Sequence, residues 1–376
     1  RYDLLCLEGL GRALRVFFGQ APLPAFRVTP PTTKVTVHGA TRKVRPYVVC
    51  AILRNITFTP ASYQSFLDLQ EQLHRNLCRR RTLVAIGTHD LDSIQLPVRY
   101  DAKPPADIVF RHLFATPEAA PQNAKAVLDE FRSDPERSHL KEYTDIIYSS
   151  EVYPVVLDAR NEVLSLPPVI NGAYSKMSAS TRNVFVECTA TDLTKANVVL
   201  NTMVTMFARY CATPDTVEAV EVDYVDGFPS TAAESVAAYK LTPDLNPRDA
   251  AVKVDEINSV LGLKLAPGEV CALLAKMQMA AAQAPGEEAS VVVKVPPTRA
   301  DILHAVDLIE DTAIAYGFNK LPEALPVSHG PGKELPVNTL CDMLRVELAC
   351  AGLTEILTFG LCSRLANFDW LGREDD

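Results

Sequence analysis

The run Val295-Pro296-Pro297-Thr298-Arg299-Ala300-Asp301 limits what this chain can build. Ser290 to Val295 is β-branched and predicts a strand, and two prolines then stop it because neither can donate to a ladder. Ile302 to Phe318 follows. Ile302, Val306, Ile309 and Ala313 recur at three- and four-residue steps, which predicts an amphipathic helix capped by Thr298 or Asp301 and ended by Gly317. The other face carries Asp307, Glu310 and Asp311 at i, i+3 and i+4, with Asp301 at the helix mouth. Two such charges roughly 5 Å apart repel by about 3 kcal/mol at an effective dielectric near 20. A bound cation relieves that repulsion. Carboxylate ligands favour a hard ion, magnesium or calcium. His304 on the same side leaves zinc or manganese open, and a solvated acidic face is the other reading of the spacing.

At 376 residues the chain calls for two to four domains. Its net charge of −9 excludes a wholly basic nucleic-acid-binding surface, so any RNA contact is a local patch or a partner's contribution. Nine cysteines fall without a C-x-x-C pair, which fits free thiols in a reducing compartment. No apolar run reaches the ~18 residues a bilayer requires, and there is no signal peptide. The chain opens on Arg1 and reads as a fragment. The expected class is α+β and multidomain.

Along the chain, residues 1–20 predict one helix with Leu4, Leu7, Leu10, Leu14 and Phe17 facing a core. Residues 21–44 predict a loop and an edge hairpin. Residues 48–58 predict a strand, and Thr59-Pro60 starts a helix with Tyr63, Phe66, Leu69 or Leu73, and Leu77 inward. That helix is read to end in Arg79-Arg80-Arg81, a dipole-favoured cap or an RNA-phosphate contact. Leu83 to Asp92 predicts a strand running into a polar turn, and a helix lies near 124–131. A further β run falls at 154–157, and Val163 to Gly172 follows, where Pro167-Pro168 with Asn171-Gly172 just after makes a rigid wall and a tight turn. Asn183 to Thr189 predicts a strand that meets a helix at 196–210 through Asp192 and Thr194, which cap the helix or point into a pocket. Acidic residues 212–245 read as a loop-rich boundary. Beyond it come a β segment at 251–254, helices at 255–261 and 270–279, and a loop at 280–288. A last helix begins near Asn338, and a strand is expected at 356–359.

The run Pro-Pro-Thr-Arg-Ala-Asp-Ile, then Asp307-Leu-Ile-Glu310-Asp311, then Ala-Tyr-Gly-Phe-Asn resembles the beta subunit of phenylalanyl-tRNA synthetase, in its cytosolic eukaryotic and archaeal form. Ala85-Ile-Gly-Thr-His-Asp-Leu-Asp92 and the opening Arg-Tyr-Asp-Leu-Leu-Cys-Leu-Glu-Gly-Leu continue the likeness. The resemblance implies part of an N-terminal domain at 1–44, a tRNA-editing domain at 45–225, and a small helix-turn-helix-like magnesium domain at 245–325. A catalytic-like domain would begin at 326–376. It implies that Asp301, Asp307, Glu310 and Asp311 hold Mg2+. It also implies a cytoplasmic ligase of two alpha and two beta chains. The alpha partner would bind ATP and charge tRNA(Phe), while this chain hydrolyses mischarged Tyr-tRNA(Phe).

The need for hydrolysis is physical, since a pocket that accepts phenylalanine rejects a hydroxylated isostere only about 10²-fold. For the editing pocket the resemblance points to Leu164, Pro168, Asn171 and Gly172 around the substrate. Asp192 and Thr194 would then act, one reading it and one orienting water. No phosphate loop of the G-x-x-x-x-G-K-[ST] type occurs, which agrees with ATP chemistry lying in the partner, and neither DNA nor membrane binding is expected. The alternative is a non-editing scaffold that binds the alpha subunit and tRNA.

Overall fold

The computed structural model describes residues 1–229, 240–284, 290–325, 330 and 332–375, the side chains of Glu136 and Ser138 aside. Helix α1 (Leu7–Phe17) opens the chain, followed by strands β1 (Arg27–Thr29), β2 (Lys34–Val37) and β3 (Tyr47–Leu53) and by helix α2 (Pro60–Arg75). Next come β4 (Val84–Asp90), β5 (Val98–Lys103), β6 (Val109–Phe110), β7 (Gln122–Asn123), α3 (Ala124–Ser133) and α4 (Ser138–Thr144). Then follow β8 (Tyr153–Leu157), β9 (Val163–Leu166), β10 (Ile170–Asn171), β11 (Val184–Ala190), α5 (Leu193–Phe207), β12 (Thr216–Tyr224) and β13 (Leu241–Thr242). Apart from the β6–β7 pair, these strands form one mixed sheet in the order β10-β9-β8-β5-β2-β12-β3-β11-β4, with β1 and β13 pairing onto β12.

The middle strands are apolar because both their faces are covered. Val184, Val186, Cys188 and Ala190 of β11 pack with residues of α2 and α5 in one core, whereas Phe185 joins the core on the opposite face with Val48, Cys50 and Ile52. Helix α2 starts as its sequence requires, with Thr59 and Ser62 forming a reciprocal cap. It ends at Arg75, before the arginine triplet, and buries Phe66, Leu69 and Leu73.

Three local expectations fail for non-local reasons. Residues 216–224 are not a loop but a central strand, parallel to β1 and β2 and antiparallel to β3. Its acids hid the alternation, and Glu218 is held by Arg54 (2.6 Å) and Thr32 (2.5 Å). Hence β1 and β2 form no hairpin, because each pairs with a strand far along the chain. The leucine stripe of α1 faces outward: Leu7, Leu10 and Leu14 are exposed while Glu8, Gly9 and Val16 are buried. Glu8 decides this orientation by accepting from Ser65 Oγ (2.6 Å) and Tyr210 Oη (2.9 Å).

Farther on, β14 (Arg248–Lys253), α6 (Val254–Leu261), α7 (Pro267–Lys276), β15 (Ala280–Gln283), β16 (Ser290–Val295) and α8 (Ala305–Tyr316) enclose a smaller core beneath the antiparallel sheet β14-β16-β15. The loop expected at 280–288 therefore begins as an edge strand, and its residues 285–289 lie outside the described ones. Helix α8 starts later than expected. His304 is its N-cap and Asp307 closes the cap, so neither Thr298 nor Asp301 does. Val306 is exposed, and Leu308, Ile309, Thr312 and Ala313 face inward.

Residues 1–322 form one compact unit and 323–376 a second, with α9 (Pro336–Cys350) and α10 (Arg364–Asn367). The expected strand at 356–359 is irregular chain. Among the described residues, no helix is long and apolar enough to cross a membrane.

Candidate active site

Strand β4 ends the large sheet, so among the described residues one edge of its backbone has no neighbouring strand. Helix α2 supplies partners instead. The Ile86 N–H donates to His74 Nε2 (2.9 Å), and the Ile86 carbonyl accepts from Gln70 Nε2 (3.0 Å). His74 accepts through Nε2 and so carries its proton on Nδ1. Burial pushes its pKa down to about 4, against the pull of Glu71, and the ring is neutral at pH 7. Side chains are thus committed to satisfying an edge while leaving open space beside it. That space is a cavity of about 870 Å3 between α2, the β4 edge, the β9–β10 turn and α4.

Glu187 forms part of its wall. It lies in β11, opposite Gly87 of β4 and Cys50 of β3. Only 2 % of its side chain is exposed. Ser165 Oγ donates to its Oε1 (2.8 Å), and Oε2 has no hydrogen bond. His89 Nε2 lies 3.9 Å from Oε1 and is likewise unbonded, while His89 Nδ1 meets Ser175 Oγ at 2.8 Å. Glycine at 87 is required by this approach: a Cβ there would lie 2.8 Å from Glu187 Cδ and 2.9 Å from His89 Nε2. A buried carboxylate with one hydroxyl donor and an unused oxygen costs free energy until a further donor arrives. A ligand hydroxyl entering the cavity supplies one.

The residues expected from sequence divide around this cavity. Pro168 and Asn171 line it, and Asn171 Nδ2 donates to the Thr88 carbonyl (3.3 Å). Leu164 does not line it and belongs to the core between sheet elements. Gly172 packs against the backbone of Val163 and donates its N–H to Leu164 O (2.8 Å). Asp192 caps α5 by accepting from Lys195 N–H (2.9 Å), and Thr194 is exposed in the first turn of that helix. Neither lines the cavity, whereas Glu187, earlier in the strand that leads to this corner, does, as do Glu71 and Glu142. Glu187 had a signal of its own, as a lone acid inside Val-Phe-Val-Glu-Cys-Thr, a run that reads as buried on both faces.

The four acids near α8 also divide. Arg299, fully buried, donates Nε to Asp301 Oδ1 (2.9 Å) and Nη2 to Asp301 Oδ2 (2.7 Å), and its Nη2 lies 2.5 Å from Asp311 Oδ2. It also donates to the Met277 carbonyl (2.8 Å). Burial opposes charge on Arg299, yet the two acids carry its pKa upward overall. Asp307 Oδ2 accepts from Leu303 N–H (2.6 Å) and His304 N–H (2.8 Å), and these backbone donors lower its pKa. Glu310 is exposed. Among the described residues no group of three His, Cys, Asp or Glu is spaced to hold a metal ion. The donor chemistry suits a hard dication, and among the described residues the Arg299 guanidinium supplies positive charge to Asp301 and Asp311.

Residues 250–318 match the family described as the tRNA synthetase B5 domain. The chain is 45 % identical over 379 residues to the phenylalanine–tRNA ligase beta subunit of Dictyostelium discoideum, covering 100 % of this chain and 59 % of that protein. It is 46 % identical over 381 residues to the cytoplasmic beta subunit of Arabidopsis thaliana, covering 100 % and 60 %. The chain thus spans about three fifths of the length of these curated relatives. Its fold superposes on the crystal structure of an N-terminal fragment of the phenylalanyl-tRNA synthetase beta subunit from Pyrococcus horikoshii. The TM-score is 0.74 and the identity 31 %, covering 84 % of each chain. With a shared fold over most of its length and these identities along it, the chain belongs to the phenylalanyl-tRNA synthetase beta-subunit family.

Proposed function

We propose that this chain is the proofreading part of a cytoplasmic phenylalanine–tRNA ligase and hydrolyses tyrosine mischarged onto tRNA(Phe). The observation that carries the reading is Glu187, buried at the cavity with one carboxylate oxygen unbonded beside Ser165. A tyrosyl hydroxyl can donate to that oxygen. A phenylalanyl ring cannot, and it would leave the carboxylate unpaired, which is the kind of site that rejects the wrong ligand by about 10⁴. Pro168 contributes apolar wall and Asn171 a polar edge. Water then attacks the ester carbonyl, releasing tyrosine and free tRNA. The decisive assay is Tyr-tRNA(Phe) hydrolysis by the full-length protein carrying Glu187→Ala. Loss of about 10²-fold or more in kcat/KM is expected, and wild-type hydrolysis would remove Glu187 from the site.

Synthesis of Phe-tRNA(Phe) belongs in this reading to an alpha partner that binds ATP, in an assembly of two alpha and two beta chains. The same reading places Mg2+ at Asp301, Asp307, Glu310 and Asp311, in the small domain that matches the B5 family. Asp307 and Glu310 are the two that Arg299 does not engage, and carboxylate oxygens already bonded to arginine keep further lone pairs. Among the described residues no three such side chains are spaced to hold an ion, so in this reading water or the partner would complete the coordination. Bound there, an ion would supply positive charge among the acids. Metal analysis of the purified complex should find Mg2+ lost with Glu310→Gln; retention in full would exclude the site.

A further inference from the structure

We propose that His89, with its tautomer set by Ser175, is a positioning residue that fixes which oxygen of Glu187 meets the substrate, and so helps to decide which aminoacyl group is accepted. The proposal rests on the editing reading and reaches one residue behind the carboxylate, since His89 does not itself line the cavity.

The strand places the two groups together. Gly87 and His89 lie two residues apart in β4 and face the same side. Register sets Gly87 opposite Glu187 and His89 opposite Phe185 of β11. The missing side chain at 87 opens the space through which carboxylate and imidazole approach, Glu187 Oε1 lying 3.9 Å from His89 Nε2. The His89 side chain is wholly buried, its ring tilted 31° from that of Phe185. Behind it the segment carrying Ser175 is tied to the end of β4. Asp90 donates its N–H to the Ser175 carbonyl (3.0 Å), and Asp90 Oδ2 accepts from Thr181 Oγ1 (2.8 Å). Ser175 Oγ, also buried, thereby meets His89 Nδ1 at 2.8 Å.

That contact can run in either direction, and the carboxylate decides which. If Nδ1 donated to Ser175, Nε2 would turn a lone pair toward a buried carboxylate oxygen, and two acceptors facing each other at low dielectric repel. If Ser175 Oγ donates to Nδ1, Nε2 carries the proton on the side of Glu187. At 3.9 Å this N–H is too far for a hydrogen bond and acts on Oε1 as a nearby dipole. Ser165 Oγ donates to the same Oε1 (2.8 Å). A carboxylate terminus turns easily when one contact holds it. Drawn toward Ser165 and His89 together, Oε1 stays in place and Oε2, unbonded among the described residues, is the oxygen left for a tyrosyl hydroxyl. A phenylalanyl ring brings no donor, and a carboxylate that cannot turn away from it keeps the full penalty.

The test uses the full-length protein with Tyr-tRNA(Phe) and Phe-tRNA(Phe), and isotope-labelled histidine NMR. His89→Phe keeps a planar ring and removes both nitrogens. It should lower the ratio of kcat/KM for the tyrosyl over the phenylalanyl substrate about tenfold. His89→Gln carries an amide nitrogen near the place of Nε2 and should recover most of that ratio, whereas a residue needed for packing alone would be replaced better by Phe than by Gln. In the wild type the NMR should find the proton on Nε2. Ser175→Ala should mix the two tautomers and lower the ratio about threefold. A proton on Nδ1 in the wild type, or an unchanged ratio in His89→Phe, would overturn the proposal. Should His89→Phe not fold, the tautomer and Ser175→Ala decide it alone. Intact hydrolysis by Glu187→Ala removes the editing reading itself, whereas lost hydrolysis there with an unchanged ratio in His89→Phe removes only the part given to His89.

Discussion

Glu187 and Asp311 are both acids almost fully withdrawn from water, yet their surroundings differ in kind. Asp311 shares the Arg299 guanidinium with Asp301, inside a small domain whose core packs around them. Among the described residues no arginine or lysine forms an ion pair with Glu187; beside it stand a serine hydroxyl, an imidazole nitrogen without a hydrogen bond and a cavity. The first arrangement answers its acids with a guanidinium inside the fold, in full for Asp301 and in part for Asp311, and so holds structure. The second leaves a carboxylate oxygen waiting for a donor, and a group left incomplete in the folded state is one a ligand can complete. Where each acid finds its partner separates a brace from a binding site.

Removing the brace should have the larger effect on stability. Arg299→Met strands two carboxylates, and breaking a buried pair costs about 3–5 kcal/mol, read as a fall in the denaturation midpoint. The pH dependence has a sign. For Asp301, burial raises its pKa and Arg299 lowers it by more, so it lies below the ordinary 3.8. The stability it contributes is present above that value and is lost as pH falls through the depressed folded pKa. Asp311 runs the other way. Desolvation dominates over Arg299 and raises its pKa, so its ionisation costs stability above the raised pKa and acid relieves that cost. A variant as stable as the wild type would erase the contrast between the two sites.

Gly87→Ala sharpens the other half of the comparison. The added Cβ meets the Glu187 carboxylate and His89, and overpacking of this sort costs about 1–3 kcal/mol. Hydrolysis of Tyr-tRNA(Phe) should fall by more than the stability loss explains, because the displaced group is the proposed reader of the substrate. Equal activity at saturating substrate would show that the carboxylate's position is immaterial. The smallest effect is expected from Asp192→Ala. It removes the cap of α5 and should cost about 1 kcal/mol in thermal or chemical denaturation, with hydrolysis unchanged once folding is complete. A selective loss of hydrolysis would return the active centre to the strand-to-helix corner.

Local chemistry determined a good deal. The strand at 290–295 ends where two prolines remove its donors, α2 begins where Thr59, Pro60 and Ser62 can cap it, and the free-thiol reading of the scattered cysteines agrees with the structure. The strand end and the helix start depend on residues within a few positions of one another, and spacing along the chain reports them faithfully. Pairing between distant segments is different. Nothing near Thr216–Tyr224 says that Glu218 is answered by Arg54 and Thr32, and nothing near Leu7 says that Glu8 will be the side anchored by Ser65 and Tyr210. The cavity is of the same class: Glu187, Ser165, Gly87 and Gln70 meet only because β11, β9, β4 and α2 come together. A sequence states which groups a chain can bury, but which of them remain without a partner is settled only when the far strands close.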